Sequence, residues 1–140
     1  MGLFKSIREA KKLKLLYDSY LKEDIGTLFN RLEYYIEHLE ESSTEREFKH
    51  HQTIGKLIAN VLIQREAEFI AYFNPELTPE DLDFVDMELL NAMKRAYNIT
   101  KVELERTSKL ENPMFYIILL HDLCMSKTVI EAFQNTIRFS

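Results

Sequence analysis

Residues 21–39 read LKEDIGTLFNRLEYYIEHL, and the spacing of their apolar side chains decides the fold class. Leu21, Ile25, Leu28, Leu32, Tyr35 and Leu39 follow one another at intervals of 4, 3, 4, 3 and 4 residues. At about 100° per residue, that rhythm keeps one apolar stripe on one helix face for nearly three heptads. A half-buried strand would alternate every second residue instead. The first helix is predicted over about residues 3–41. Gly26 interrupts the stripe at a cost of ~1 kcal/mol relative to Ala. A kink or break is therefore expected around Asp24 and Gly26.

Working outward, three further helices are predicted. Glu40, Glu41, Ser42, Ser43 and Thr44 form a linker, and Thr44 with Glu47 reads as a capping box. A second helix then runs over about 44–73, with the stripe Ile54, Ile58, Val61, Leu62, Phe69 and Phe73. It ends at Asn74–Pro75, because the residue before proline avoids helical backbone angles. Thr78, Pro79, Glu80 and Asp81 supply a cap, a first-turn proline and two acids at the positive dipole end. The third helix is predicted over about 79–110, on Val85, Leu89, Ala92, Ala96 and Ile99. Its pattern slips after Asn98, where Thr100 and Glu103 suggest a second capping box and a kink or split. Asn112–Pro113 opens a fourth helix over about 113–138. Four amphipathic helices with short linkers predict an all-α, antiparallel bundle.

Composition agrees with this reading. Only three Gly and three Pro occur in 140 residues, too few for a turn-rich all-β chain. The length suits one domain over residues 1–140. The lone Cys124 excludes an internal disulfide framework. No uninterrupted apolar run of about 18 residues occurs, so no transmembrane helix is expected. The basic N-terminus lacks an apolar signal segment, and a cytoplasmic location is the expectation. The net charge of −5 marks an acidic protein and disfavours nucleic acid as main partner. That charge is unevenly spread. Residues 1–22 hold Lys5, Arg8, Lys11, Lys12, Lys14 and Lys22 against Glu9 and Asp18, a net of +4 that leaves −9 for the rest.

The last helix carries more apolar surface than one face needs. In its second half Val129, Ile130, Phe133 and Ile137 oppose Lys127, Glu131, Gln134 and Arg138. Continued backwards, the polar side becomes Tyr116, Ile117, Leu120 and Cys124. A helix apolar all round is buried all round. Either this half is central and covered by the rest of the chain, or it meets a partner. The same wheel puts Asp122 and Ser126 on the core face, where a carboxylate needs a hydrogen-bonding or charged partner.

Catalytic and metal motifs are sparse. Glu47-Phe48-Lys49-His50 is a single Glu-x-x-His, whereas a di-metal bundle needs two together with two further Glu. His50 and His51 point about 100° apart on a helix and chelate poorly together. Cys124 with His121 three residues earlier reads as packing before it reads as thiol chemistry. Asn98-Ile99-Thr100 fits the glycosylation sequon without a secretory context. No phosphate loop or nucleophile elbow occurs. Met1-Gly2-Leu3-Phe4-Lys5-Ser6 fits the N-myristoylation pattern, and the basic cluster behind it is the second signal that stable anchoring needs. Leu3, Phe4, Ile7 and Ala10 add a short apolar stripe.

The leading expectation is a non-catalytic protein–protein interaction or regulatory domain. It would form a homodimer, docking through Tyr116, Ile117, Leu120 and Cys124. The alternative is a peripheral membrane-surface protein using its basic N-terminal helix, with Lys5, Arg8, Lys11, Lys12 and Lys14 contacting a membrane or an acidic partner; whether Gly2 is acylated stays open in the sequence. A metal-binding bundle is the third reading. No cofactor and no small-molecule substrate is inferred.

Overall fold

In the computed structural model the described backbone covers residues 2–139, and the described side chains cover residues 5–136. Among these the chain is all helical, with six α-helices, one 3-10 helix and no strand. Its contacts divide into two compact units, Met1–Arg65 and Glu66–Ser140.

The first unit holds α1 (Gly2–Leu21), α2 (Ile25–Glu41) and α3 (Glu45–Gln64). The break expected near Gly26 falls just before it. Asp24 leaves helical geometry and accepts the Thr27 backbone N–H at 3.1 Å, so α2 starts with its own cap. Gly26 then lies inside the first turn of α2. The opening stripe forms the core of this unit: Leu28 and Leu32 are fully buried, with Ile25 and Phe29 beside them in sequence. From α3 come Ile54, Ile58, Ala59, Val61 and Leu62. Thr44 caps α3 through the Glu47 N–H. The Glu47 carboxylate returns to the Ser43 backbone N–H and hydroxyl rather than to Thr44 itself.

The second predicted helix does not run unbroken to residue 73. It stops at Gln64, and Arg65 adopts non-helical angles. The Arg65 guanidinium donates to the carbonyls of Tyr20, in the last turn of α1, and Glu23, just past its end. Carbonyls at a helix C-terminus run short of intrahelical donors, and Arg65 supplies one here. Tyr17 also donates its hydroxyl to the Gln64 side chain, tying α1 to the end of α3.

The second unit holds α4 (Glu66–Tyr72), the 3-10 helix η1 (Pro79–Leu82), α5 (Met87–Arg106) and α6 (Pro113–Phe139). Thr78 and Asp81 form a reciprocal capping box, yet it starts only one 3-10 turn. The long helix begins later, where the Asp86 carboxylate accepts the Leu89 N–H at 2.7 Å. The break predicted near Asn98 is absent: α5 is continuous from Met87 to Arg106, and Thr100 with Glu103 are interior residues, not a cap. The slip in pattern has another origin. Leu90 is 1% exposed and Met93, Tyr97 and Leu104 are half-buried, so α5 packs on a stripe about 110° from the predicted one. Leu82, Val85 and Leu90 make a small core with Val129, Ile130 and Phe133 of α6 packed against it.

Candidate functional site

The start of α6 was the sharpest candidate, and the fold uses it internally. Tyr116, Ile117, Leu120 and Cys124 are 5%, 0%, 4% and 4% exposed. Of the two readings open for this half-helix, its burial in the folded chain is the one observed, so these four side chains offer no free surface. Burial raises the Cys124 thiol above its ordinary pKa, with the nearby Lys127 partly opposing, which leaves it protonated and poorly nucleophilic.

The wheel's other expectation fails at Asp122. Its side chain is 56% exposed, 3.4 Å from the His121 imidazole, and Phe115 is likewise 50% exposed. The face shared by Phe115 and Asp122 is the outer one, because the surplus stripe, not the primary one, turns inward along the first half of α6.

The buried end of α6 carries a polar network that the sequence did not suggest. Tyr116 donates its hydroxyl to one Glu66 carboxylate oxygen at 2.5 Å, and Lys109 meets the other at 3.0 Å. The Lys109 ammonium also sits 4.9 Å from the centre of the Tyr116 ring. Burial alone would raise the Glu66 pKa, but the donors Tyr116 and Lys109 outweigh it and hold it below the usual value. Burial first, then the Glu66 carboxylate, raise the Tyr116 phenol. Each member satisfies another, so the network ties α4 to α6. Phe73 against His121, with ring centres 4.6 Å apart, and Thr128 donating to Asn74 at 2.7 Å continue that seam.

A cleft of about 820 Å³ lies beside residues 74–79 and α6. Its Lys127 and Glu131 face each other at 3.9 Å as an exposed i,i+4 pair, which reads as surface charge and not as an acid–base couple. The Glu-x-x-His pair is not brought together either, since Glu47 is engaged at the α3 cap.

Two other surfaces stand open. On α5 the predicted stripe Leu89, Ala92, Ala96 and Ile99 faces outward. Leu89 is 41%, Ile99 66% and the adjoining Val102 45% exposed. On α1, Lys5, Arg8, Lys11, Lys12 and Lys14 are all exposed, and among the described residues none takes part in an ion pair. Ile7 and Leu15 are interleaved with them at 45% and 71% exposure. Met1 and the side chains of Gly2, Leu3 and Phe4, which carry the myristoylation pattern, lie outside the described residues, as do those of Ile137 and Arg138.

One stretch among the described residues, Pro113–Thr136 of α6, is long and apolar enough at 24 residues to cross a membrane. The rule of uninterrupted apolar residues passed over it because His121, Asp122 and Lys127 punctuate it. A core helix has the same composition, and the burial of Ile117 and Leu120 gives this one a core role. Comparison with protein-family models, curated proteins and solved structures finds no match to this chain.

Proposed function

We propose that this protein is a non-catalytic helical interaction module that docks through α5, and that the docked partner is a second copy of the chain. The observation that carries the reading is the outward apolar stripe of α5, on a helix that already buries a different stripe. A continuous exposed apolar row on one helix is the form of a helix-docking surface. Its centre is small, Ala92 and Ala96, and its ends are large, Leu89 and Ile99. Two antiparallel copies of such a row place small against small at the twofold axis, which supports an isologous pairing. The test is light scattering coupled to size exclusion over a concentration series. A dimer mass is expected, reverting to monomer in Leu89→Glu and Ile99→Glu with helix content unchanged. A strict monomer at high concentration would overturn the reading.

A second reading, contact of α1 with an acidic membrane surface, rests on the five exposed cations, which take part in no ion pair among the described residues, and on Ile7 and Leu15 between them. Polybasic segments gain about 1 kcal/mol per Lys or Arg near an anionic leaflet, and exposed apolar side chains add insertion. Flotation with vesicles rich in phosphatidylserine should carry the protein upward at low salt and release it at high salt. Binding that survives deletion of residues 1–14 would sink this reading.

A further inference from the structure

Three of the four histidines lie at the α2–α3 hairpin. The ring centres of His38 and His51 are 5.7 Å apart, and those of His50 and His51 are 5.6 Å apart. The hydrogen bonds around the first pair determine their tautomers. His38 Nδ1 is 2.8 Å from the Tyr34 carbonyl oxygen. A carbonyl only accepts, so Nδ1 carries the proton. The Ser42 hydroxyl donates its one hydrogen to the His38 carbonyl at 2.7 Å. It can therefore only accept from His51 Nδ1, 3.2 Å away. Both neutral rings thus hold their proton on Nδ1 and leave Nε2 with a free lone pair. Among the described residues no hydrogen-bond partner occupies either Nε2.

We infer that His38 and His51 form a two-imidazole site for a borderline divalent metal ion of the zinc, nickel or copper kind. Neutral imidazole is the ligand such ions favour. A metal-binding histidine normally donates its other ring N–H to a carbonyl or hydroxyl, which orients the ring and raises its basicity. Tyr34 and Ser42 already supply those two acceptors. The rings are held from the side as well: Tyr34 stacks on His38 at 3.9 Å, and Tyr35 lies 5.9 Å from His51. Two imidazoles bound through Nε2 to one ion at about 2.0–2.1 Å place their ring centres roughly 5 to 6 Å apart at near-tetrahedral angles. The observed separation falls in that interval. Among the described residues no three His, Cys, Asp or Glu side chains converge on one point, so water completes the coordination and the ion is exchangeable. The site lies on α2 and α3 and is independent of docking through α5.

The test uses the untagged full chain with its histidines labelled with ¹⁵N. At mildly alkaline pH, the long-range proton–nitrogen spectrum of the metal-free protein should show His38 and His51 as Nδ1–H tautomers. Zinc added to one equivalent should shift both Nε2 resonances together and saturate. His38→Ala and His51→Ala should each weaken zinc binding at least about tenfold, and Ser42→Ala, which frees the His51 ring, should weaken it less. His121→Ala should leave it unchanged. His38→Phe keeps a ring against Tyr34 and separates loss of ligand from loss of fold. Nε2–H tautomers in the wild-type protein, unsaturable binding, or zinc affinity insensitive to His38→Phe would each overturn the site.

Discussion

At the scale of single residues, Glu66 shows how burial and partners compete. Its side chain is only 29% exposed, and that burial raises the cost of its charge, which hydrogen bonds from Tyr116 and Lys109 more than offset. Because the folded pKa lies below the ordinary 4.5, the stability that Glu66 contributes is complete above that value. It is lost as pH falls through the lowered folded pKa. Tyr116→Phe keeps the buried ring and removes one donor. The expected outcome is a loss of about 1–3 kcal/mol at neutral pH, since a hydrogen bond to a charged group disappears. Acid unfolding should also begin at higher pH, because burial then faces Lys109 alone. Urea titration at neutral pH and an acid titration followed by circular dichroism measure both, and an unchanged acid midpoint would contradict the assignment. Nothing in the sequence marks this trio: Glu66 lies more than forty residues before Lys109 and Tyr116, and no local pattern links it to them.

At the scale of elements, α5 separates what periodicity detects from what it cannot. The spacing of Val85, Leu89, Ala92, Ala96 and Ile99 announces a helix, which the structure starts only at Met87; the face it names is solvent-facing within α5, and Val85, the member in the core, precedes the helix. Helical period is a property of one segment, whereas burial depends on which neighbour arrives. Leu90→Ala should therefore cost about 2–5 kcal/mol, as expected for emptying a core position. Ile99→Ala should change monomer stability by no more than about 0.5 kcal/mol. Chemical denaturation of both variants, at concentrations below any association, decides which stripe is internal. The reverse ranking would show that the predicted face is the core one. The same distinction explains the caps. Asp24 and Asp86 each start a helix by accepting the backbone N–H three residues on, a local signal readable in principle. The stronger start signal at Thr78 and Pro79 precedes Asp86 and opens only a 3-10 turn, while Asp86 caps the long helix. Arg65 has no local signal, since its partners are carbonyls more than forty residues earlier.

At the scale of the whole molecule, the fully buried large side chains fall into two groups. Leu28, Leu32, Ile58, Val61 and Leu62 belong to the first unit, and Phe69, Leu90 and Ile117 to the second. Native-state hydrogen exchange should accordingly reveal two clusters of slow amides, centred on α2–α3 and on α5–α6, with residues 5–15 of α1 exchanging fastest. Protection confined to one unit would contradict two cores. The all-helical class and the apolar surplus at the start of α6 were determined by the sequence alone, because both rest on local backbone preference and on counting apolar side chains. So was the basic bias of α1. Which apolar faces remain outside was decided only by tertiary structure. Tyr116, Ile117, Leu120 and Cys124 went inward, while Leu89 and Ile99 stayed outside. The hydrophobic effect is non-directional: it requires that apolar area be covered, but only the arrangement of neighbouring elements determines which area that is.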